Sequence, residues 1–187
     1  MSRLVGPVVP PGTWGRQVQP VLSSGPRMLR PWTTQDASPL AEAYGDLDIR
    51  QWHSRSMTLQ EAGEWIQSKG ESWRQESAAD WAVEVDGLIV GRVGFRWLSL
   101  DEGCAEIAYW THPRARGQGH AVNAVGMLTE WATCAGLHRI ELHHAVANAA
   151  SCRVAQACGY RVEGTAVSAL LHTDGWHDMH LHGLVAP

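Results

Sequence analysis

Apolar residues recur at helical spacing in two long segments of this chain, which predicts two amphipathic helices. In the first segment, residues 59–73, the apolar positions are Leu59, Ala62, Trp65 and Ile66. In the second, residues 121–135, they are Val122, Val125, Leu128, Ala132 and Ala135. Gly136 follows the second segment and suits a helix C-terminal cap. Two shorter helices are expected over residues 36–44 and 149–158.

Short apolar stretches between turn signals predict seven strands, at residues 28–31, 81–85, 88–97, 104–111, 139–146, 161–171 and 176–184. Asp86-Gly87 and Asp174-Gly175 are hairpin signals between neighbouring strands. The order of elements predicts an α/β fold with a mixed, mostly antiparallel sheet flanked by helices. It contains one strand–helix–strand crossover.

The length of 187 residues suits one sizeable domain, which we place at residues 27–187. Residues 1–26 are rich in Pro, Gly and Val without a period, and predict an extended arm that is loose or ordered against a partner subunit. Ten tryptophans are mostly expected in the core, with Trp52, Trp73 and Trp97 as candidates for a substrate cleft.

The composition narrows the class of partner. A formal charge of −4 gives no general attraction to nucleic acid or to an anionic membrane. No apolar run approaches the ~20 residues of a membrane span, and the N-terminus lacks a secretory signal core. Four cysteines without a Cys-x-x-Cys pair fit reduced thiols, so we expect a cytoplasmic protein.

The run from Arg114 to Ala121, RARGQGHA, lies between a predicted strand and a predicted helix. Gly117 and Gly119 would let the backbone turn tightly and approach a ligand, and the helix N-terminus favours an anion. Arg114 and Arg116 add positive charge. The loop therefore reads as a pyrophosphate cradle, although a lone Gly-x-Gly is weak and an ordinary turn with solvated arginines remains open.

Three stretches together resemble the GNAT superfamily of acetyl-CoA-dependent N-acetyltransferases. The stretch AEIAYWTHPRARGQGHAVNAV looks like the central motif of that family, a strand, an Arg-x-x-Gly-x-Gly/Ala loop and a helix. IELHHAVANAASCRVAQACGYRVEGT is similar to its second signature. RMLRPWTTQDA resembles the first strand of the subgroup that contains the Rim-type ribosomal-protein acetyltransferases. The resemblance covers about residues 27–184.

The resemblance implies the GNAT fold, acetyl-CoA as cosubstrate and direct transfer of an acetyl group to a primary amine in a ternary complex. It also implies that the exposed edge of residues 107–111 pairs with pantetheine and that a backbone N–H there binds the oxyanion. The predicted cofactor-binding residues are Tyr109, Trp110, Thr111, Arg114, Arg116, Gly117, Gln118, Gly119, His120, Ala121, Asn148 and Ser151. A homodimer is a further expectation.

Glu106 is the predicted general base, because it opens the apolar run EIAYW near the reactive end of the cofactor. A strand-end glutamate in solvent or in a salt bridge is the equal alternative. Glu141 on the next strand is the weaker competitor.

Asn148 and Ser151 match the Asn-x-x-Ser of the family, and both also suit plain helix capping. We expect Asn148 to bond the pantetheine amide and Ser151 to act as general acid for the departing thiolate. Tyr160 is expected to be structural.

Two other kinds of chemistry are considered. Cys152 and Cys158 have no histidine tied to them by spacing, so a covalent acetyl-cysteine is not expected. The C-terminal histidines His172, His177, His180 and His182 lack zinc spacing and a cysteine or carboxylate partner in sequence, so the predicted metal site is none.

The acceptor stays open between the α-amine of a protein and a small-molecule amine. Residues 46–58 and 97–102, with the final hairpin, are the predicted acceptor loops. The alternative to an enzyme is a non-catalytic acetyl-CoA sensor or interaction module on the same fold.

Overall fold

The computed structural model describes residues 4–187. One sheet contains eight strands in the order β1-β2-β3-β4-β5-β6-β8-β7. The strands are β1 Leu22–Ser24, β2 Arg27–Arg30, β3 Asp80–Val85, β4 Leu88–Ser99, β5 Cys104–Thr111, β6 Arg139–Ala145, β7 Arg161–His172 and β8 Gly175–Val185. All neighbours are antiparallel except β5 and β6. The predicted mixed sheet and its single crossover are confirmed.

The helices are α1 Ala37–Ala43, α2 Leu47–His53, α3 Leu59–Arg74, α4 His120–Cys134 and α5 Ala149–Ala157. Thr58 begins α3 with a capping box that it shares with Glu61. Gly136 lies just beyond α4 with φ at +102°, as expected for a glycine at the end of a helix. Helix α4 makes the crossover from β5 to the parallel strand β6.

The helices cover both faces of the sheet. On one face α4 and α5 pack over a cluster that includes Ile107, Leu128 and Ile140. On the other face α1 and α3 pack over a second cluster around Trp110, Leu40 and Ile66. Residues of β3 alternate between the two clusters, as the period of two along a strand requires.

The segment 46–58, predicted as a loop, contains helix α2. Asp46 begins it, because its side chain accepts a hydrogen bond from the backbone N–H of Ile49 at 3.0 Å. Ile49 is buried, whereas Leu47 is 76% exposed. The helix has too few apolar positions to show a period in the sequence, so the prediction was wrong here.

The described part of the N-terminal segment packs on its own chain. Val9 and Trp14 are 3% and 4% exposed and belong to the core cluster under α4. The carboxylate of Glu76 accepts hydrogen bonds from the backbone N–H groups of Gly12, Trp14 and Gly15. Burial alone would raise the pKa of Glu76, but these hydrogen bonds outweigh it, so the pKa lies below its usual value. This differs from the loose or partner-bound arm expected for residues 1–26, of which 1–3 lie outside the described residues.

Trp73 also belongs to this core, since its ring stacks on that of Trp14 with the ring centroids 6.1 Å apart. None of the helices formed by residues 4–187 is long and apolar enough to cross a membrane.

Candidate active site

The N-terminus of α4 is open and faces no side-chain cap among the described residues. Gly117 and Gly119 adopt φ angles of +78° and +75°, a region that disfavours any residue with a Cβ. Nothing lies within 4 Å of where a Cβ would stand at either position. Gly119 is the N-cap residue and offers no side chain to the first N–H groups of the helix. No side chain of residues 4–187 caps these groups, which suits an anion.

The two arginines predicted for the cradle are engaged with acidic residues. Arg116 bonds Asp46 at 2.5 Å and Asp48 at 2.7 Å, and Arg114 bonds Glu42 at 2.7 Å. Their side chains are 38% and 80% exposed. Either arginine must therefore leave or share a carboxylate to contact a phosphate.

Arg27, which was not predicted, supplies a third cation at the same loop. Its Nε donates to Nδ1 of His120 at 3.1 Å, and Nη2 donates to the carbonyl oxygen of Gln118 at 3.3 Å. Burial and the charge of Arg27 lower the pKa of His120. Arg27 stands on β2, over 80 residues before the loop, so only the fold could reveal this contact.

Strands β5 and β6 pair over only three residues each. Their ladder ends at the pair Glu106 and Glu141. Beyond it, within residues 4–187, no strand is paired with the edge of β5 at residues 107–111 on the side away from β4. A cleft of about 460 Å³ opens there. An extended, amide-containing ligand can therefore pair with β5 as a strand would.

Glu106 lies where the two strands begin to part, with a side chain 14% exposed. Its closest cation is Arg96, with Nη1 3.6 Å from Oε1. His143 approaches from β6, with Nδ1 3.8 Å from Oε2. Both distances exceed those of a good hydrogen bond, so the carboxylate keeps acceptor capacity toward the cleft.

Glu141, the weaker competitor for the base, is more firmly held. Nε of Arg139 donates to its Oε1 at 2.8 Å, and Nε2 of His143 lies 3.3 Å from its Oε2. Among residues 4–187, Glu106 and His143 line the cleft, whereas Glu141 does not. His143 thus bridges the two glutamates, a role that sequence reasoning missed.

Tyr109 of β5 and Ser151 of α5 also line the cleft and form a hydrogen-bonded pair. Their hydroxyl oxygens are 2.9 Å apart. Burial raises the pKa of Tyr109 to about 12. Asn148 caps α5 by accepting a hydrogen bond from the backbone N–H of Ser151 at 3.1 Å, so it holds this serine at the mouth of the helix.

Tyr160 is remote from this pair and structural. Its hydroxyl is 2.6 Å from the hydroxyl of Thr129, and it is only 3% exposed. Cys158 belongs to the same region behind α4, where burial raises its pKa to about 11. A buried thiol of this kind is inert as a nucleophile.

His53 of α2 closes the cleft from above β5. Its Nε2 donates to the carbonyl oxygen of Tyr109 at 3.1 Å. Burial, with Arg92 as the next cause, lowers the pKa of His53 to about 4. The imidazole is therefore neutral at physiological pH, with Nδ1 as an acceptor.

Three further predicted cofactor-binding residues differ in where they lie and in how far they are buried. The Trp110 indole is 4% exposed within the core cluster under α1 and α3, so only its backbone can reach a ligand. Thr111 lies half-buried at the end of β5, and Ala121 lies in the first turn of α4.

Of the predicted acceptor loops, some line the cleft and one does not. Residues 52–55 line the cleft, and so do Leu170, Leu171 and His172 of the final hairpin. No residue of 97–102 is part of the cleft lining within the described chain.

The C-terminal histidines separate into two groups. His172 and His177 pack around Trp52, with ring centroids 5.5 and 5.9 Å from it. His180 and His182 lie on β8 beside His144 of β6.

Comparison with known proteins places this geometry in a family. A family profile described as acetyltransferase (GNAT) domain matches residues 27–161. A sequence search among curated proteins finds no match.

Solved structures share the fold at low identity. A ribosomal-protein-S5-alanine acetyltransferase from Vibrio fischeri superimposes with a TM-score of 0.81 at 20% identity, over 90% of this chain and 97% of its own. An acetyl transferase from Salmonella typhimurium that modifies the N-terminal serine of a 50S ribosomal subunit protein gives 0.81 at 19%, over 90% and 100%. The microcin C7 self-immunity acetyltransferase, in complex with acetyl-CoA and AMP, gives 0.79 at 20%, over 87% and 93%.

The profile match spans most of the chain and includes the cradle, the splayed strands and α5. The chain therefore belongs to the GNAT acetyltransferase family and is an acetyltransferase whose cosubstrate is acetyl-CoA.

Proposed function

We propose that this protein transfers the acetyl group of acetyl-CoA directly to a primary amine within a ternary complex. The observation that carries the proposal is that Glu106 and the hydrogen-bonded pair of Tyr109 and Ser151 line the same cleft. Glu106 offers a proton acceptor and the pair offers a proton donor, as aminolysis of a thioester requires.

Two features support the placement of the cofactor. The open N-terminus of α4, with Gly117 and Gly119, offers backbone N–H groups to the pyrophosphate. The unpaired edge of β5 offers backbone groups to the pantetheine amides, which would lead the thioester toward Glu106. Arg27 is a further cation at this loop, and its contacts above are with His120 and with a carbonyl oxygen and not with a carboxylate.

The reaction follows from these placements. The neutral amine attacks the thioester carbonyl, and Glu106 takes the amine proton directly or through a water molecule. The tetrahedral intermediate then collapses, the C–S bond breaks, and the CoA sulfur receives a proton from Ser151. Tyr109 can return a proton to Ser151 across their 2.9 Å hydrogen bond. The products are an amide and free CoA thiol.

For the acceptor, we favour the α-amino group of a polypeptide over a lysine side chain. An α-amine has a pKa of about 7.7–8.0, so roughly a third is neutral near pH 7.5, against about one in a thousand for a lysine amine. A small molecule that carries an α-amine meets the same requirement.

The test is a competition with acetyl-CoA between peptides with free N-termini and small-molecule amines, followed by mass spectrometry of the products. Peptides with a blocked N-terminus and a free lysine are the matched control. We expect acetylation of α-amines and none of the blocked peptides. Acetylation confined to lysine would contradict the acceptor proposal, and binding of acetyl-CoA without any turnover would favour the sensor.

A further inference from the structure

A cluster of three histidines and one cysteine lies behind the cleft. His144 on β6 and His180 on β8 are direct partners across the antiparallel ladder, and His182 lies two residues farther on the same face of β8. Cys152 of α5 lies over this face. One potential ligand atom from each of the four side chains lies within 4.8 Å of the other three.

The surroundings of the histidines favour a bound cation. His144 is 4% exposed and His182 is fully buried. Nδ1 of His180 is buried without a hydrogen-bond partner. A buried ring nitrogen that lacks a partner is costly, and a metal ion is a partner for such a lone pair.

His144 adopts the tautomer that a metal-binding histidine needs, with the proton on Nδ1 and the lone pair on Nε2. Its Nδ1 donates to the carbonyl oxygen of Ala145 at 2.8 Å, so Nε2 carries the lone pair in the neutral ring. This Nε2 faces Nε2 of His182 at 3.0 Å. A backbone carbonyl that fixes Nδ1–H while Nε2 binds the metal is the common outer-shell arrangement of histidine ligands.

We propose that His144, Cys152, His180 and His182 bind one divalent transition-metal ion of the zinc class. Three imidazoles and one thiolate are a zinc donor set, and tetrahedral zinc takes Zn–N of about 2.0–2.1 Å and Zn–S of about 2.3 Å. These bond lengths require ligand atoms roughly 3.3–3.6 Å apart. The 3.0 Å between the two Nε2 atoms must open slightly to meet this, and the wider separations in the cluster, which reach up to 4.8 Å, must close.

The ion would have a route in and a structural consequence. His144 is also part of the lining of the cleft, so a hydrated ion can reach the cluster from that side. Cys152 follows Ser151 directly on α5. A metal bond to Cys152 would therefore fasten α5, with its serine and its Asn148 cap, to strands β6 and β8. Binding would release the thiol proton of Cys152 to solvent.

The test uses the full chain, fully reduced and stripped of metal, and titrates it with Co²⁺ and Zn²⁺. We expect one equivalent of cobalt, with the thiolate-to-cobalt charge-transfer band and the visible bands of tetrahedral Co²⁺, and displacement of both by zinc. Zinc at 100 times its Kd should raise the Tm by roughly 5–10 °C.

Two variants and a control make the result specific. Cys152→Ser should lose the charge-transfer band, and Cys152→Ser and His180→Gln should each weaken affinity by at least about 100-fold, since outer-shell partners alone are worth 10–100-fold. Cys134→Ser, at an exposed thiol near the end of α4, should bind like the wild type. Substoichiometric binding by the reduced, folded wild type would overturn the proposal, and so would equal binding by Cys152→Ser and Cys134→Ser.

Discussion

Removing the hydroxyl groups of Tyr109 and Ser151, singly and together, tests how the CoA thiolate is protonated. The two oxygens are 2.9 Å apart, and burial raises the pKa of Tyr109 to about 12. A general acid contributes roughly 10²–10⁴-fold to rate, or about 2.7–5.4 kcal/mol of the barrier. Because the pair acts as one donor, Tyr109→Phe and Ser151→Ala should each lower the rate of the chemical step by about 100-fold or more.

The double variant is the informative one. If the serine delivers the proton and the tyrosine replaces it, the double variant should be no slower than the slower single variant, as with other residues that act as a unit. The assay is a single-turnover measurement of thiol release, which separates chemistry from product release.

Tyr160→Phe is the matched control, since its hydroxyl bonds Thr129 in the core and not the cleft. It should lose about 1 kcal/mol or more of stability and keep the rate of the chemical step. Multiplicative losses in the Tyr109–Ser151 double variant would refute the shared donor, as would wild-type rates in both single variants.

Three further outcomes follow from the structure. Arg116→Ala should raise the KM for acetyl-CoA by about tenfold with kcat nearly unchanged, because one charge-assisted contact is worth about 1.5–3 kcal/mol; an unchanged KM would remove Arg116 from the phosphate site. Trp14→Ala should cost roughly 3–5 kcal/mol in a urea titration, since the ring is 4% exposed and its N–H donates to the Ala135 carbonyl; a cost under about 1 kcal/mol would mean that the N-terminal segment is loose. Folding lowers the pKa of His53 from 6.5 to about 4, so the unfolded chain takes up the proton at a higher pH than the folded chain does. The free energy of unfolding should therefore fall by roughly 3 kcal/mol through this residue as the pH drops from 6.5 to about 4. His53→Gln should flatten that slope, and an equally steep slope in the variant would contradict the assignment.

The sequence predicts seven of the eight strands, because apolar stretches bounded by turn signals mark them. It misses β1, since a strand of three residues carries no pattern. The period of α4 and the glycines at its start are local signals, and both are confirmed as features of the structure. Helix α2 escaped because a seven-residue helix with one buried position has no readable period.

The missing parts of the site are contacts between distant segments. The hydrogen-bonded residues Tyr109 and Ser151 are 42 positions apart in the sequence, and the ion pair of Arg116 and Asp46 joins residues 70 positions apart. Neither spacing carries a signal, since only the crossover of α4 and the packing of α2 bring these residues together. The partnership of Cys152 with the histidines of β8 was missed for the same reason. The sequence gives the types of these residues but not which of them are in contact in the folded chain.

The central claim is acetyl transfer in the cleft with Glu106 as base, and thiol release with Glu106→Gln beside Glu141→Gln measures it most directly. We expect amine-dependent release of CoA by the wild type, a fall in kcat of about 10²–10⁴-fold in Glu106→Gln with unchanged Kd for acetyl-CoA, and a much smaller fall in Glu141→Gln. Equal rates in the wild type and Glu106→Gln, with every tested amine that supports turnover, would contradict the account.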